Sequence, residues 1–197
     1  MRLPTLSLAL VATIVSSALL PSCSDPVPPP AQGTAWYSLS RGAGQDQCLI
    51  AGGVAGNLPT VTGKAQAVTT TDAPARVVNG DNGSVSCRVS PSGSAFSVLG
   101  TIQVSSPHTE LLHVNGTFAP GQSDAKGSVT IADANIPSGA SFASTNCVFS
   151  VKPANSIEGL DIAAGRVWGS FTCSDIADDS KHVCSAQGIF VFENCDQ

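Results

Sequence analysis

Ser84-Val85-Ser86-Cys87-Arg88-Val89 decides how this chain is read. Val85, Cys87 and Val89 fall on one side and the polar residues on the other, the period of two that an extended strand requires. A cysteine therefore lies on the core face. The same period recurs in Phe96 with Val98, Ile102 with Val104, Leu112 with Val114 and Phe118, Val129 with Ile131, and Cys147 with Phe149 and Val151. Between them stand Gly, Pro, Asn and Ser. About ten such stretches follow Trp36, and no segment keeps a helical period over three turns; Ser174 to Lys181 has room for one helical turn in a loop. The pattern predicts an all-β fold, an antiparallel β-sandwich of Ig-like or jelly-roll-like type, stapled by disulfides. Asn79-Gly80, Asn82-Gly83 and Asn115-Gly116 suit positive φ, and the first two are expected to bend the chain into the Val85 strand.

The end of the chain carries the clearest pairing. Gly165 to Cys173 (GRVWGSFTC) and Cys184 to Phe192 (CSAQGIFVF) read as two strands around a ten-residue loop, with Cys173 and Cys184 at its feet. A bridge between them would add roughly 2 to 3 kcal/mol in the chain-entropy picture. That pairing leaves two economical schemes for the rest: Cys48 with Cys87 and Cys147 with Cys195, or Cys87 with Cys195 and Cys48 with Cys147. Ile189 to Phe192 is apolar on both faces, as befits a central strand covered on both sides.

Charged residues make up only 12% of the chain, against about 25% in ordinary domains. Ser, Thr, Gly and Val take their place, a composition typical of secreted β proteins. Fourteen acids exceed nine Lys and Arg, so no basic face for nucleic acid is expected.

Upstream, Arg2 precedes Leu6 to Leu20, an uncharged apolar run too short and poorly flanked to span a membrane, which reads as a secretory signal. It ends at Leu20-Pro21-Ser22-Cys23, which resembles a bacterial lipobox, with Pro21 in place of the usual small residue. The resemblance implies a signal peptide over 1–22, acylation of Cys23, and attachment of the mature chain to a membrane through that lipid. Cysteine parity supports this reading: lipidating one of seven cysteines leaves Cys48, Cys87, Cys147, Cys173, Cys184 and Cys195 as an even set. The alternative is a cut after Ser16-Ser17-Ala18, releasing a soluble secreted protein. Residues 23–33, rich in proline, are expected to form a semi-extended tether, and 34–197 the folded domain. In a Gram-negative cell, Ser24 behind the acylated cysteine would direct the protein to the outer membrane.

Three pieces resemble mycobacterial surface lipoprotein antigens: Gly83-Ser84-Val85-Ser86-Cys87 followed by Ser92-Gly93, Val167 to Thr172, and Phe190-Val191-Phe192-Glu193-Asn194-Cys195. The resemblance is patchy, and this chain has four extra cysteines. It implies a single β domain behind a tether, a Cys87–Cys195 bridge, and no established catalytic residues.

Candidate chemistry is sparse. His108, His113 and His182 show no zinc spacing, so edge or solvated histidines are expected. Asp175, Asp178 and Asp179 crowd one loop with Lys181, where solvation is favoured over calcium binding. Gly-x-Ser-x-Gly is absent. Paired carboxylates for glycoside hydrolysis cannot be chosen among 14 acids. Asn82-Gly-Ser84 and Asn115-Gly-Thr117 match the glycosylation acceptor, which the bacterial address makes chance matches. Among Trp36, Tyr37 and Trp168, the last lies on the second face of its strand and is expected to pack under a loop rather than serve as a binding platform. No metal or cofactor is expected. The functional expectation is a non-enzymatic envelope lipoprotein with a structural or interaction role toward a protein or glycan partner; a small-ligand or carbohydrate-binding module is the alternative, and a hydrolase with dispersed residues a remote one.

Overall fold

The structure is a computed structural model that describes residues 27–41, 48, 77–78, 83–105, 109–134, 136, 139–151 and 161–197. Ten strands follow in chain order: β1 (Gln32–Ser40), β2 (Val77–Val78), β3 (Gly83–Ser92), β4 (Ala95–Val104), β5 (Glu110–Phe118), β6 (Ala125–Asp133), β7 (Ser141–Ser150), β8 (Asp161–Ala163), β9 (Arg166–Ala177) and β10 (Val183–Glu193). No α-helix occurs among the described residues. The fold is thus all-β and antiparallel, as the alternation predicts. β1 opens at Gln32, so the sheet takes in the last two residues expected for the tether.

All ten strands belong to one sheet, ordered β2-β1-β10-β9-β7-β6-β5-β4-β3, with β8 added against β9. The sheet curls until its edges nearly meet, so opposite parts of the same sheet face each other across the core. The C-terminal tail closes one end of the seam. Asp196 donates its N–H to the Cys87 carbonyl at 3.0 Å and accepts from Val89 N–H at 2.8 Å. Gly165, in the β8–β9 turn at φ 78°, donates to Val89 and accepts from Cys195, each at 2.9 Å. A positive φ at a position facing the tail favours glycine. The Cys87 to Val89 part of edge strand β3 is covered in this way, which blunts it as a template for aggregation.

Phenylalanines fill the core. Phe118 stacks on Phe149 at 4.7 Å between ring centroids, Phe149 meets Phe171 and Phe190, and Phe190 meets Phe192. Five rings thus connect β5, β7, β9 and β10. Space for the last comes from Gly100 across the core, where a Cβ would fall 2.5 Å from the Phe192 ring. Asn115-Gly116 serves packing as well: it lies inside β5 rather than in a turn, and a Cβ on Gly116 would strike Phe118. The bend expected at Asn79-Gly80 and Asn82-Gly83 lies outside the described residues.

Three disulfides staple the fold: Cys48–Cys184, Cys87–Cys195 and Cys147–Cys173. The expected Cys173–Cys184 bridge is therefore corrected, and so are Cys48–Cys87, Cys147–Cys195 and Cys48–Cys147. The reason is strand length. β9 continues through Ser174 to Ala177, where a loop or a helical turn was expected, and pairs Ile176 with Cys184 while Cys173 faces Ala186. Three residues along a strand separate the two cysteines by about 10 Å, beyond the reach of a disulfide. Cys87–Cys195, the pair implied by the resemblance, ties the tail to β3. β10 lies between β1 and β9, and Val191, on its outer face, is buried.

Candidate functional site

The barrel has two distinct ends. At the tether end stand Gln32 of β1, Glu193 of β10 and Arg166 of β9; Asn194 Nδ2 donates to the Pro30 carbonyl at 3.2 Å, fixing where the tether leaves. At the far end, one strand length or roughly 25 to 30 Å away, stand Glu110 of β5 and Asp133 of β6. They are directly paired in the register.

Period two aims both acids inward. Glu110 precedes Leu112 and Val114 on the core face of β5, and Asp133 follows Val129 and Ile131 on that of β6; all six are buried. From across the seam Tyr37 of β1, fully buried, donates its hydroxyl to Asp133 Oδ2 at 3.0 Å. Ile136 N–H donates to the Asp133 carbonyl at 3.0 Å and buries its side chain at the mouth. Among the described residues, Glu110 Oε2 is buried and finds no hydrogen-bond partner. Two carboxylates side by side in an apolar mouth resist ionising together. Burial first, then the Asp133 charge, pushes Glu110 up to about 7. Burial, then the charges of Asp133 and Glu110 and the hydrogen bond to Asp133, drives Tyr37 above the ordinary phenol range. The phenol thus stays protonated and serves as a donor.

This has a measurable consequence. An acid whose folded pKa is raised stabilises the fold fully below its unfolded value, near 4.5, and that contribution is lost as pH rises through about 7. In chemical denaturation without divalent ions, the wild type is expected to lose up to about 3 kcal/mol between pH 5 and 8 relative to Glu110→Gln. Burial also holds His113 below its ordinary value, a contribution of opposite sign that cancels because both proteins carry it. Parallel curves for the two proteins would show that Glu110 ionises normally.

The residues singled out from sequence are dispersed. Asp178 and His182 pair at the far end: Asp178 Oδ2 lies 2.7 Å from His182 Nδ1, and Oδ1 accepts the His182 N–H at 2.8 Å. Burial opposes the Asp178 charge, but these hydrogen bonds and the His182 charge outweigh it and hold the carboxyl below its usual range. Both oxygens of Asp178 are thereby committed to His182. Asp175 stands exposed on β9 beside the Ser174 hydroxyl, so the acidic loop is not gathered around a centre. No three His, Cys, Asp or Glu side chains converge as a metal-ligating set among the described residues. A buried Asp orienting a His is half of a nucleophile-activating arrangement, yet among the described residues no serine or threonine hydroxyl hydrogen-bonds to His182.

His113 lies on the outer side of β5 with Nδ1 2.9 Å from Thr101 Oγ1; His108 and Cys23 lie outside the described residues. Trp168 is half-buried, its indole N–H donating to Glu193 at 2.9 Å, which fits packing on the strand's second face. An open polar cleft of about 380 Å³ at the tether end is lined by Arg166, Glu193, Asn194 and Gln197, and Arg166 is drawn to Asp161 at 3.0 Å.

Sequence reasoning missed Glu110 and Asp133. The available signal was parity, since each continues the buried face of its strand. Comparison with protein families, curated proteins and solved structures gives no match to this chain.

Proposed function

We propose that this chain is a lipid-anchored protein of the bacterial cell envelope, whose disulfide-stapled barrel presents its far end to a partner and catalyses no reaction. The observation that carries the reading is the cysteine arithmetic: three disulfides use six of seven cysteines, and the one outside them is Cys23, in the acylation position of Leu20-Pro21-Ser22-Cys23. A closed set of bridges accords with an oxidising compartment. The patchy resemblance to mycobacterial surface lipoproteins points the same way.

The orientation follows from the tether. Eight residues separate Cys23 from Gln32, about 25 Å if drawn out as a proline-rich spacer. The Pro30–Asn194 contact brings the chain in beside the Arg166 cleft. That end then faces the bilayer, and the end bearing Glu110, Asp133 and His182 faces outward.

In the native host, the wild type is expected to take up an alkyne-bearing palmitate analogue and to sediment with membranes. Cys23→Ser is expected to lose both while keeping its three disulfides. An unlabelled wild type with a free thiol at Cys23 would sink the anchor and leave a soluble secreted protein.

A further inference from the structure

The three bridges differ in how the sheet protects them. Cys147 and Cys173 are fully buried; Cys147 faces Gly127 of β6 and Cys173 faces Ala186 of β10, so each stands in a strand with neighbours on both sides. Cys184 is fully buried in interior strand β10, and Cys48 is 2% exposed. Cys87 and Cys195 are each 7% exposed, and their setting is different. Cys87 belongs to edge strand β3, and Cys195 lies beyond the end of β10, in the last three residues of the chain. Three backbone hydrogen bonds hold the tail beside this bridge: Cys195 N–H to the Gly165 carbonyl, Asp196 N–H to that of Cys87, and Val89 N–H to that of Asp196. Fraying a chain terminus costs less free energy than parting two interior strands, so a reductant reaches Cys87–Cys195 first.

We propose that Cys87–Cys195 is a thiol-exchangeable latch on the seam of the barrel, a switch that does not depend on the anchor proposed above. A dithiol attacks one of the two sulfurs as a thiolate and forms a mixed disulfide; its second thiol then displaces that cysteine. The reductant becomes a disulfide, and Cys87 and Cys195 are left as thiols. Two electrons and two protons pass from the dithiol to the pair. Cys147–Cys173 still ties β7 to β9, and Cys48–Cys184 still holds β10, so the body of the barrel stands while residues 194–197 detach. Release bares the Cys87 carbonyl and the Val89 N–H, which point away from β4. Outward positions on an edge strand recur every second residue. The next one toward the end of β3 is Pro91, which has no N–H to offer an added strand, so on that side the latch governs whether the edge can accept one.

The test uses the full chain, oxidised and without denaturant. Graded dithiothreitol is followed by iodoacetamide and peptide mass spectrometry, with amide exchange measured on the same samples. Cys87 and Cys195 are expected to label together at a dithiothreitol concentration about tenfold below the one that labels Cys147, Cys173 and Cys184. At that step exchange rises in β3 and in 194–197 while β5 to β7 stay protected. Replacing the reductant by oxidised glutathione restores the starting pattern. Labelling of all three pairs together, earlier labelling of Cys48 with Cys184, or no labelling short of global unfolding would overturn the proposal. Selective reduction that leaves exchange in β3 unchanged would overturn it as well, because the bridge would then not be what holds the tail, and so would an opening that oxidation does not reverse.

Discussion

Replacing Cys87 and Cys195 together by alanine is expected to lower stability by about 4 kcal/mol, since their disulfide closes a loop of more than a hundred residues. Two effects act together. The unfolded chain regains the freedom that the bridge removes. In the folded chain, the tail loses its covalent tie to β3 and is left with its hydrogen bonds to Cys87, Val89 and Gly165 to hold the seam. Amide exchange should therefore rise first in β3 and in 194–197, with β5 to β7 still protected. The measurement is guanidinium unfolding of the double variant beside the wild type, both non-reduced, together with exchange mapped by peptide. A loss below about 1 kcal/mol with β3 protection unchanged would mean that the seam is held by packing alone.

The second large effect is expected at Phe149→Ala, about 3 to 5 kcal/mol. Phe149 touches Phe118, Phe171 and Phe190, as many rings as any member of the chain of five, and is almost completely buried. Deleting it empties the junction between β5, β7, β9 and β10. The conservative Phe149→Leu should cost distinctly less. Thermal and denaturant unfolding of both variants checks this, and equal losses would show that ring volume at the junction is not what the core needs.

Most of the architecture is legible because buried strands of an antiparallel sheet announce themselves by alternation. Val85, Cys87 and Val89 do so, and so do Leu112, Val114, Val129 and Ile131. The Cys173–Cys184 bridge fails for a physical reason visible only in three dimensions. Ser174 and Asp175 are both exposed within β9, and the register shifts between Cys184 and Ala186. A strand that breaks its own alternation looks like a loop. Glu110 and Asp133 escape notice for the complementary reason: an acid at the end of a strand ordinarily faces water. Parity places each on the inner face, but only the β5–β6 register brings them together, and only the curl of the sheet brings Tyr37 from β1 onto them. His182 and Asp178 are four residues apart and visible in sequence. Their hydrogen bonds needed the loop geometry.

The order of the cysteines has a consequence for biogenesis. Cys184, Cys195 and Cys173 each supply one half of a bridge, so every covalent link waits for the final stretch of polypeptide. On the proposed export route, the first two disulfide-forming cysteines to emerge, Cys48 and Cys87, are not native partners of each other. An oxidase that joins cysteines as they appear would trap them together. In an oxidising compartment the native connectivity thus calls for delayed oxidation or for reshuffling by thiol–disulfide exchange, and in the second case yield is expected to rise with a disulfide isomerase.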